Sequence, residues 1–70
     1  SGKEITNKII TETITKHISF TIDPKMIKTK GDTILIQGSP MLRSEVLMHT
    51  QDILLDLKQA LPNHEFKSIR

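Results

Sequence analysis

The feature of this sequence that most constrains its fold is a Gly31-Asp32 pair between two short runs of strand-forming residues. The pair separates residues 26–30 from residues 33–37, and both runs are rich in isoleucine and threonine. A two-residue loop that contains glycine is typical of the turn in a β-hairpin. The sequence therefore predicts an antiparallel hairpin at the centre of the fold.

The register of this hairpin sorts its side chains by polarity. With Gly31-Asp32 as the loop, residue 30 faces residue 33 and residue 27 faces residue 36. A slip of one residue would mix apolar and charged side chains on both faces, so the turn assignment is well determined. The predicted core face carries Ile27, Thr29, Ile34 and Ile36, and the predicted open face carries Lys28, Lys30, Thr33, Leu35 and Gln37, with Met26 at its edge.

Helical spacing predicts one helix before the hairpin and one after it. Between Lys3 and His17, isoleucines recur at positions 5, 9, 10 and 14, as in an amphipathic helix, although four threonines lower its intrinsic helicity. Ser39-Pro40 is a helix-start signal, and the second helix is predicted to run to about Ala60. Its apolar stripe comprises Leu42, Val46, Ile53, Leu57 and Ala60, widened by Leu47, Leu54 and Leu61.

Two further segments complete the predicted fold. Residues 18–22 alternate before Asp23-Pro24 and are interpreted as an extended connection with two or three buried anchors. Residues 64–70 alternate weakly and are predicted to form a third strand. We therefore expect a single α+β domain over residues 3–70, in the order αββαβ, with a three-stranded sheet packed against a long helix and an N-terminal helix. Ser1-Gly2 resembles the remnant of a cleaved tag.

Composition narrows the classes of protein and the cellular setting. Seventy residues with 36% apolar content suffice for one core and no second domain. Because cysteine is absent, no disulfide or thiolate metal site can support that core, and the reducing cytoplasm is the expected location. The sequence has no apolar run long enough for a membrane helix and no secretory signal pattern. The formal net charge of +2 does not by itself identify a polyanionic partner.

The first candidate site is a basic surface on the open hairpin face. Lys28 and Lys30 lie on that face in the predicted register, and such a surface would contact phosphates without reading bases. The alternative is that these lysines are ordinary solubility features. The full candidate set for nucleic-acid binding is Lys25, Lys28, Lys30, Arg43, Lys67 and Arg70.

The second candidate is a stripe of Met41, Met48 and Leu55, spaced seven residues apart and off the predicted core face of the long helix. Exposed methionine and leucine bordered by charged residues suit a protein interface or a homodimer. The alternative is that the stripe packs under the first helix and gives the long helix two buried sides.

Catalysis has little support in this sequence, and we expect no enzyme, metal or cofactor. His17, His49 and His64 do not have a metal-ligand spacing, and a pocket that groups His49 with another titratable residue would be needed for catalysis. Free amides after Gly38-Ser39 could hold an anion, although Ser-Pro at this position is normally a cap. No GxxG loop is present, so no KH-type (K-homology) groove is predicted from motifs.

The second half of the chain resembles the DciA-like domain of bacteria. The resemblance rests on three segments: the strand and helix start GDTILIQGSP at residues 31–40, the leucine-rich helix around residues 53–57, and the closing strand FKSIR at residues 66–70. These correspond to a family pattern of a short strand, a serine-rich helix start and a "V-x-D-I-R" strand. Leu42 stands where the family usually has tryptophan.

The resemblance implies a KH-like αββαβ fold that binds nucleic acid. Proteins of this family load or operate the bacterial replicative helicase, so the resemblance implies a role in DNA replication, DNA rather than RNA as the ligand, and the helicase as a partner. These properties are expectations from the family and not from composition or spacing. The competing expectation is a protein-interaction or homodimerisation domain without nucleic-acid binding.

Overall fold

The predicted hairpin is present with the predicted register. The computed structural model describes residues 2–70, and in it strand β1 (Ile27–Lys30) pairs with strand β2 (Thr33–Ile36), with residue 27 opposite 36 and residue 30 opposite 33. Gly31 has a φ of 60°, and no non-glycine residue in the described range has a positive φ. Glycine at the first loop position with positive φ is typical of a type II′ turn, which matches the twist of the flanking strands.

The sheet is completed by a short strand β3 (Ser68–Ile69), which pairs in parallel with β2 in the order β1-β2-β3. Backbone bonds extend this pairing, since the Lys67 amide donates to the Asp32 carbonyl and the Arg70 amide donates to the Ile34 carbonyl, both at 2.8 Å. The third strand is therefore confirmed but is shorter than the predicted residues 64–70.

The predicted long helix is two helices, and this part of the prediction is wrong. Helix α2 spans Pro40–Met48, helix α3 spans Thr50–Ala60, and His49 between them has φ −109° and ψ 18°. Thr50 Oγ1 donates to the Leu47 carbonyl at 2.7 Å, a local bond that competes with the helical pattern. The interruption falls where the polar His49 and Thr50 would otherwise enter the middle of the apolar stripe.

Helix α1 (Gly2–Thr15) ends two residues before the predicted His17. The hydroxyls of its four threonines each donate to the carbonyl four residues earlier, which satisfies these polar groups within the helix. Ile10 and Ile14 are fully buried, but Ile5 is 62% exposed because a separation of five residues places it on the opposite side of the helix from Ile10.

The connection from α1 to the sheet is extended, as predicted, and it ends in a 3-10 turn at Pro24–Met26. Ile22 is buried, and Ile18 and Phe20 are half-buried against the core. These are the anticipated anchors of the segment.

One apolar cluster lies between the sheet and the helices. Ile34 and Ile36 point into it and are 0% and 5% exposed. Leu47 and Ala60, predicted as part of the helical stripe, are exposed, because the stripe is divided at His49 and Leu61 takes the last buried position. The α+β class is confirmed. The buried members of the cluster are Ile10, Ile14, Ile22, Ile27, Ile34, Ile36, Leu42, Val46, Ile53, Leu57, Leu61 and Ile69.

Candidate functional site

The open face of the sheet carries the two lysines that the sequence places there. Lys28 lies opposite Leu35 and Lys30 lies opposite Thr33, and both lysines are exposed. Their neighbours on β1, Ile27 and Thr29, face the helices, since successive strand residues point to opposite faces.

Arg70 joins these lysines on the open face. Ser68 is the register partner of Thr33, and the two hydroxyl oxygens lie 2.8 Å apart, so Ser68 lies on the same face as Thr33 and Lys30. Alternation then places Arg70 on this face and Ile69, which is 5% exposed, in the core. Arg70 is two strands from Lys28, a distance of about 10 Å between backbones.

The charge of this open face is of one sign. Its strand positions are residues 28, 30, 33, 35, 68 and 70, and none of them is Asp or Glu. The nearest acidic residue along the chain, Asp32, lies in the turn, where its Oδ1 accepts a hydrogen bond from Thr33 at 3.5 Å. We call Lys28, Lys30 and Arg70 the open-face cations.

Lys67 is not brought together with the open-face cations. It immediately precedes Ser68, so its side chain points toward the helical layer. There it lines a small hollow that also contains Lys58 of α3. The same hollow contains His64 and Phe66, whose rings stack with centroids 5.5 Å apart at an interplanar angle of 9°.

Lys25 and Arg43 are exposed residues at the margins of the sheet. Lys25 lies in the 3-10 turn that leads into β1, and its amide donates to Asp23 Oδ1 at 2.8 Å. Arg43 lies on the first turn of α2, which follows β2 at the end of the sheet where Arg70 also lies. Among residues 2–70, neither residue forms a salt bridge with another described side chain.

At the start of α2, where free amides could have held an anion, the structure has an internal cap. Ser39 Oγ accepts a hydrogen bond from the Leu42 amide at 3.2 Å. The serine thus has the capping role that Ser-Pro normally has at a helix start.

The methionine stripe is exposed and is divided by the helix break. Met41 and Met48 are 71% and 76% exposed and line one shallow groove on α2, whereas Leu55, 65% exposed, lies on α3 and does not line it. The alternative in which this stripe packs under the first helix is therefore wrong. The sequence interpretation anticipated charged residues beside the stripe, of which Glu45 is one, but it missed Ser44 as a residue of the groove, although Ser44 lies three residues after Met41 on the same side of the helix.

A polar cluster fastens the connection after α1 to α2 and α3. His17 Nε2 lies 2.6 Å from Asp56 Oδ2, the His17 and His49 rings are 6.4 Å apart, and the Ser19 amide donates to Glu45 Oε1 at 2.8 Å. His49 and Glu45 line the same groove, so the grouping that the sequence reading required for catalysis is present. Among residues 2–70, however, no serine or threonine hydroxyl is hydrogen-bonded to either histidine, so the cluster lacks an activated nucleophile.

No group of three His, Cys, Asp or Glu side chains within residues 2–70 is arranged to hold a metal ion. In the same range, no helix combines the length and apolar character needed to cross a membrane.

Comparison of the chain with protein-family models, curated proteins and solved structures gives no significant match. The DciA-like and KH-like assignments therefore stay predictions from the motifs.

Proposed function

We propose that this domain is a non-catalytic nucleic-acid-binding module that holds the phosphate backbone on the open face of its sheet. The observation that carries the proposal is the grouping of Lys28, Lys30 and Arg70 on a face that no helix covers and that has no acidic strand position. Cations on a rigid sheet bind phosphates without identifying bases, so the binding is largely independent of sequence.

The other cations contribute less in this proposal. Lys25 and Arg43 lie at the margins of the sheet and can extend the contact with a longer nucleic acid. Lys67 is directed to the opposite layer with Lys58, so it lies outside the surface that we propose.

The DciA-like motifs support a more specific role for the module in bacterial DNA replication, with DNA as the ligand and the replicative helicase as a partner in the cytoplasm. This role depends on the motif resemblance, whereas phosphate binding depends on the placement of the open-face cations. The two parts of the proposal can therefore fail separately.

Salt-dependent affinity tests the phosphate contact. Three phosphate contacts give a slope of log K against log salt of about −2 for single-stranded DNA and about −3 for duplex DNA. Fluorescence anisotropy with labelled oligonucleotides of about 20 nucleotides measures this slope. A flat salt response, or no binding at low ionic strength, would contradict the proposal and leave the lysines as solubility features.

Charge-removing variants then locate the surface. Lys28→Gln and Lys30→Gln are each expected to weaken binding and to reduce the slope by about 1. Lys8→Gln, which removes an exposed charge from α1, is the matched control and should leave the slope unchanged. Lys67→Gln distinguishes the two layers of the molecule. If it weakens binding as much as Lys28→Gln does, the nucleic acid lies on the opposite side of the sheet from the one that we propose.

A further inference from the structure

Four residues on the solvent side of α2 have the spacing of a hole, the gap into which a side chain of a packed partner helix inserts. Met41, Ser44, Glu45 and Met48 occupy positions i, i+3, i+4 and i+7, and all four line the groove. In packed helices, a side chain of one helix inserts between four residues of the other with this spacing. Ser44 is small, so the space between the two methionines is open. We call these four residues the α2 hole.

The α2 hole is held in place by contacts on its other sides. Helix α2 buries Leu42 and Val46, 4% and 0% exposed, in the core. Its first turn is capped by Ser39, and Glu45 Oε1 accepts the Ser19 amide. The hole is therefore presented on an anchored helix, and the methionine side chains can adapt to the shape of an inserted group.

Charge decides between a second copy of this chain and a different partner. If two α2 helices packed about a two-fold axis through the hole, each Glu45 would lie close to the other, which is unfavourable for like charges. A helix with lysine or arginine beside its apolar face complements the Glu45 carboxylate.

The size of the surface also favours a different partner over a second copy of this chain. A stable interface takes about 800 Å² from each partner, which is about one sixth of the 4767 Å² of accessible surface on this chain. A nine-residue helix offers too little area for a permanent dimer on its own. The surface suits a short helical segment that binds reversibly.

We propose that the α2 hole docks a basic amphipathic helix of another protein. One aliphatic side chain of that helix enters between Met41 and Met48, and its lysines or arginines lie against Glu45. This docking function is separate from phosphate binding on the sheet, and it stands whether or not the open face binds nucleic acid.

The test uses a designed peptide of about four helical turns with leucines on one face and lysines beside them, and a matched peptide in which every lysine is replaced by glutamate. Chemical-shift changes in the isotope-labelled protein are expected on α2 and at His49 with the lysine peptide. The double variant Met41→Gln, Met48→Gln should weaken its binding by about tenfold. Leu55→Gln, the same kind of change on α3 outside the hole, is the control and should leave binding unchanged.

Filling the hole provides a second variant that keeps both methionines. Ser44→Leu places a side chain where the peptide's aliphatic group should enter, and Ser44 is exposed, so the fold should tolerate it. Loss of peptide binding by this variant supports the proposal.

Three results would overturn it: equal binding of the glutamate peptide, shift changes centred on β1 and β3, or unchanged affinity in the hole variants. A doubled mass in light scattering that Met48→Gln returns to the monomer value would also overturn it, because the hole would then hold a second copy.

Discussion

Gly38 lies where the chain passes closest to two side chains. A Cβ atom at this position would be 2.6 Å from Leu42 Cδ2 and 3.1 Å from Met26 Cε. Gly38→Ala must therefore displace the buried Leu42 side chain, and we expect it to lower the free energy of unfolding by about 1 kcal/mol, at the low end for overpacking. Urea denaturation followed by circular dichroism measures this loss.

Gly2→Ala is the control for that experiment, since an added Cβ there has no heavy atom within 4 Å. An unchanged urea midpoint for Gly38→Ala would contradict this prediction, because it would mean that the Leu42 and Met26 side chains move aside without loss of stability. The contact of residue 38 with Met26 could not be predicted from local sequence, because Met26 is twelve residues away and only the folded hairpin brings it close.

By contrast, the faces of the two cations that flank β3, Lys67 and Arg70, could be predicted from the sequence. Once Ile69 is assigned to the core, alternation places Lys67 on its side of the sheet and Arg70 on the other. The sequence interpretation placed Lys67 and Arg70 in one group with Lys28 and Lys30 because it did not apply this two-residue alternation. The structure separates them into different layers.

Helix α2 depends on its first-turn cap. Ser39→Ala removes the Oγ that accepts the Leu42 amide, and such a loss costs about 1 kcal/mol of stability. Thermal or urea unfolding is expected to show this decrease. Ser44→Ala removes an exposed serine from the same helix and, because alanine has the higher helix propensity, should not reduce stability. Equal effects of the two substitutions would contradict the capping role of Ser39.

The break between α2 and α3 is the element that the sequence did not predict. No proline or glycine lies between residues 41 and 60, so the usual breakers are absent, and the spacing of Leu42, Val46, Ile53 and Leu57 fits one continuous helix. At the break, the Thr50 hydroxyl donates to the Leu47 carbonyl, a contact that depends on a side-chain conformation and not on periodicity. The hairpin was predictable because a wrong register would have exposed isoleucines and buried lysines together.

At the scale of the whole molecule, the net charge of +2 hides a separation of charge. The open-face cations lie on the sheet, and Glu45 lies with the exposed methionines on α2. Composition could not reveal this arrangement, since it depends on which residues the fold brings to one surface. The molecule thus presents two surfaces that suit different ligands.

These two surfaces are expected to bind independently. The open-face cations lie on the sheet and the hole lies on α2, so the two surfaces share no residue. At physiological ionic strength, charges that are farther apart than about 8 Å are largely screened from each other. Affinity for DNA measured with and without saturating lysine peptide should agree within about twofold, as expected for uncoupled sites.

The matched variants make the independence measurable in both directions. The double substitution Lys28→Gln, Lys30→Gln should leave the affinity for the peptide unchanged, and Met41→Gln, Met48→Gln should leave the affinity for DNA unchanged. Direct competition between the two ligands would place both on one surface, because two separate sites without a conformational link cannot exclude each other. A mutual change in affinity without competition would instead show that the two sites are coupled through the fold.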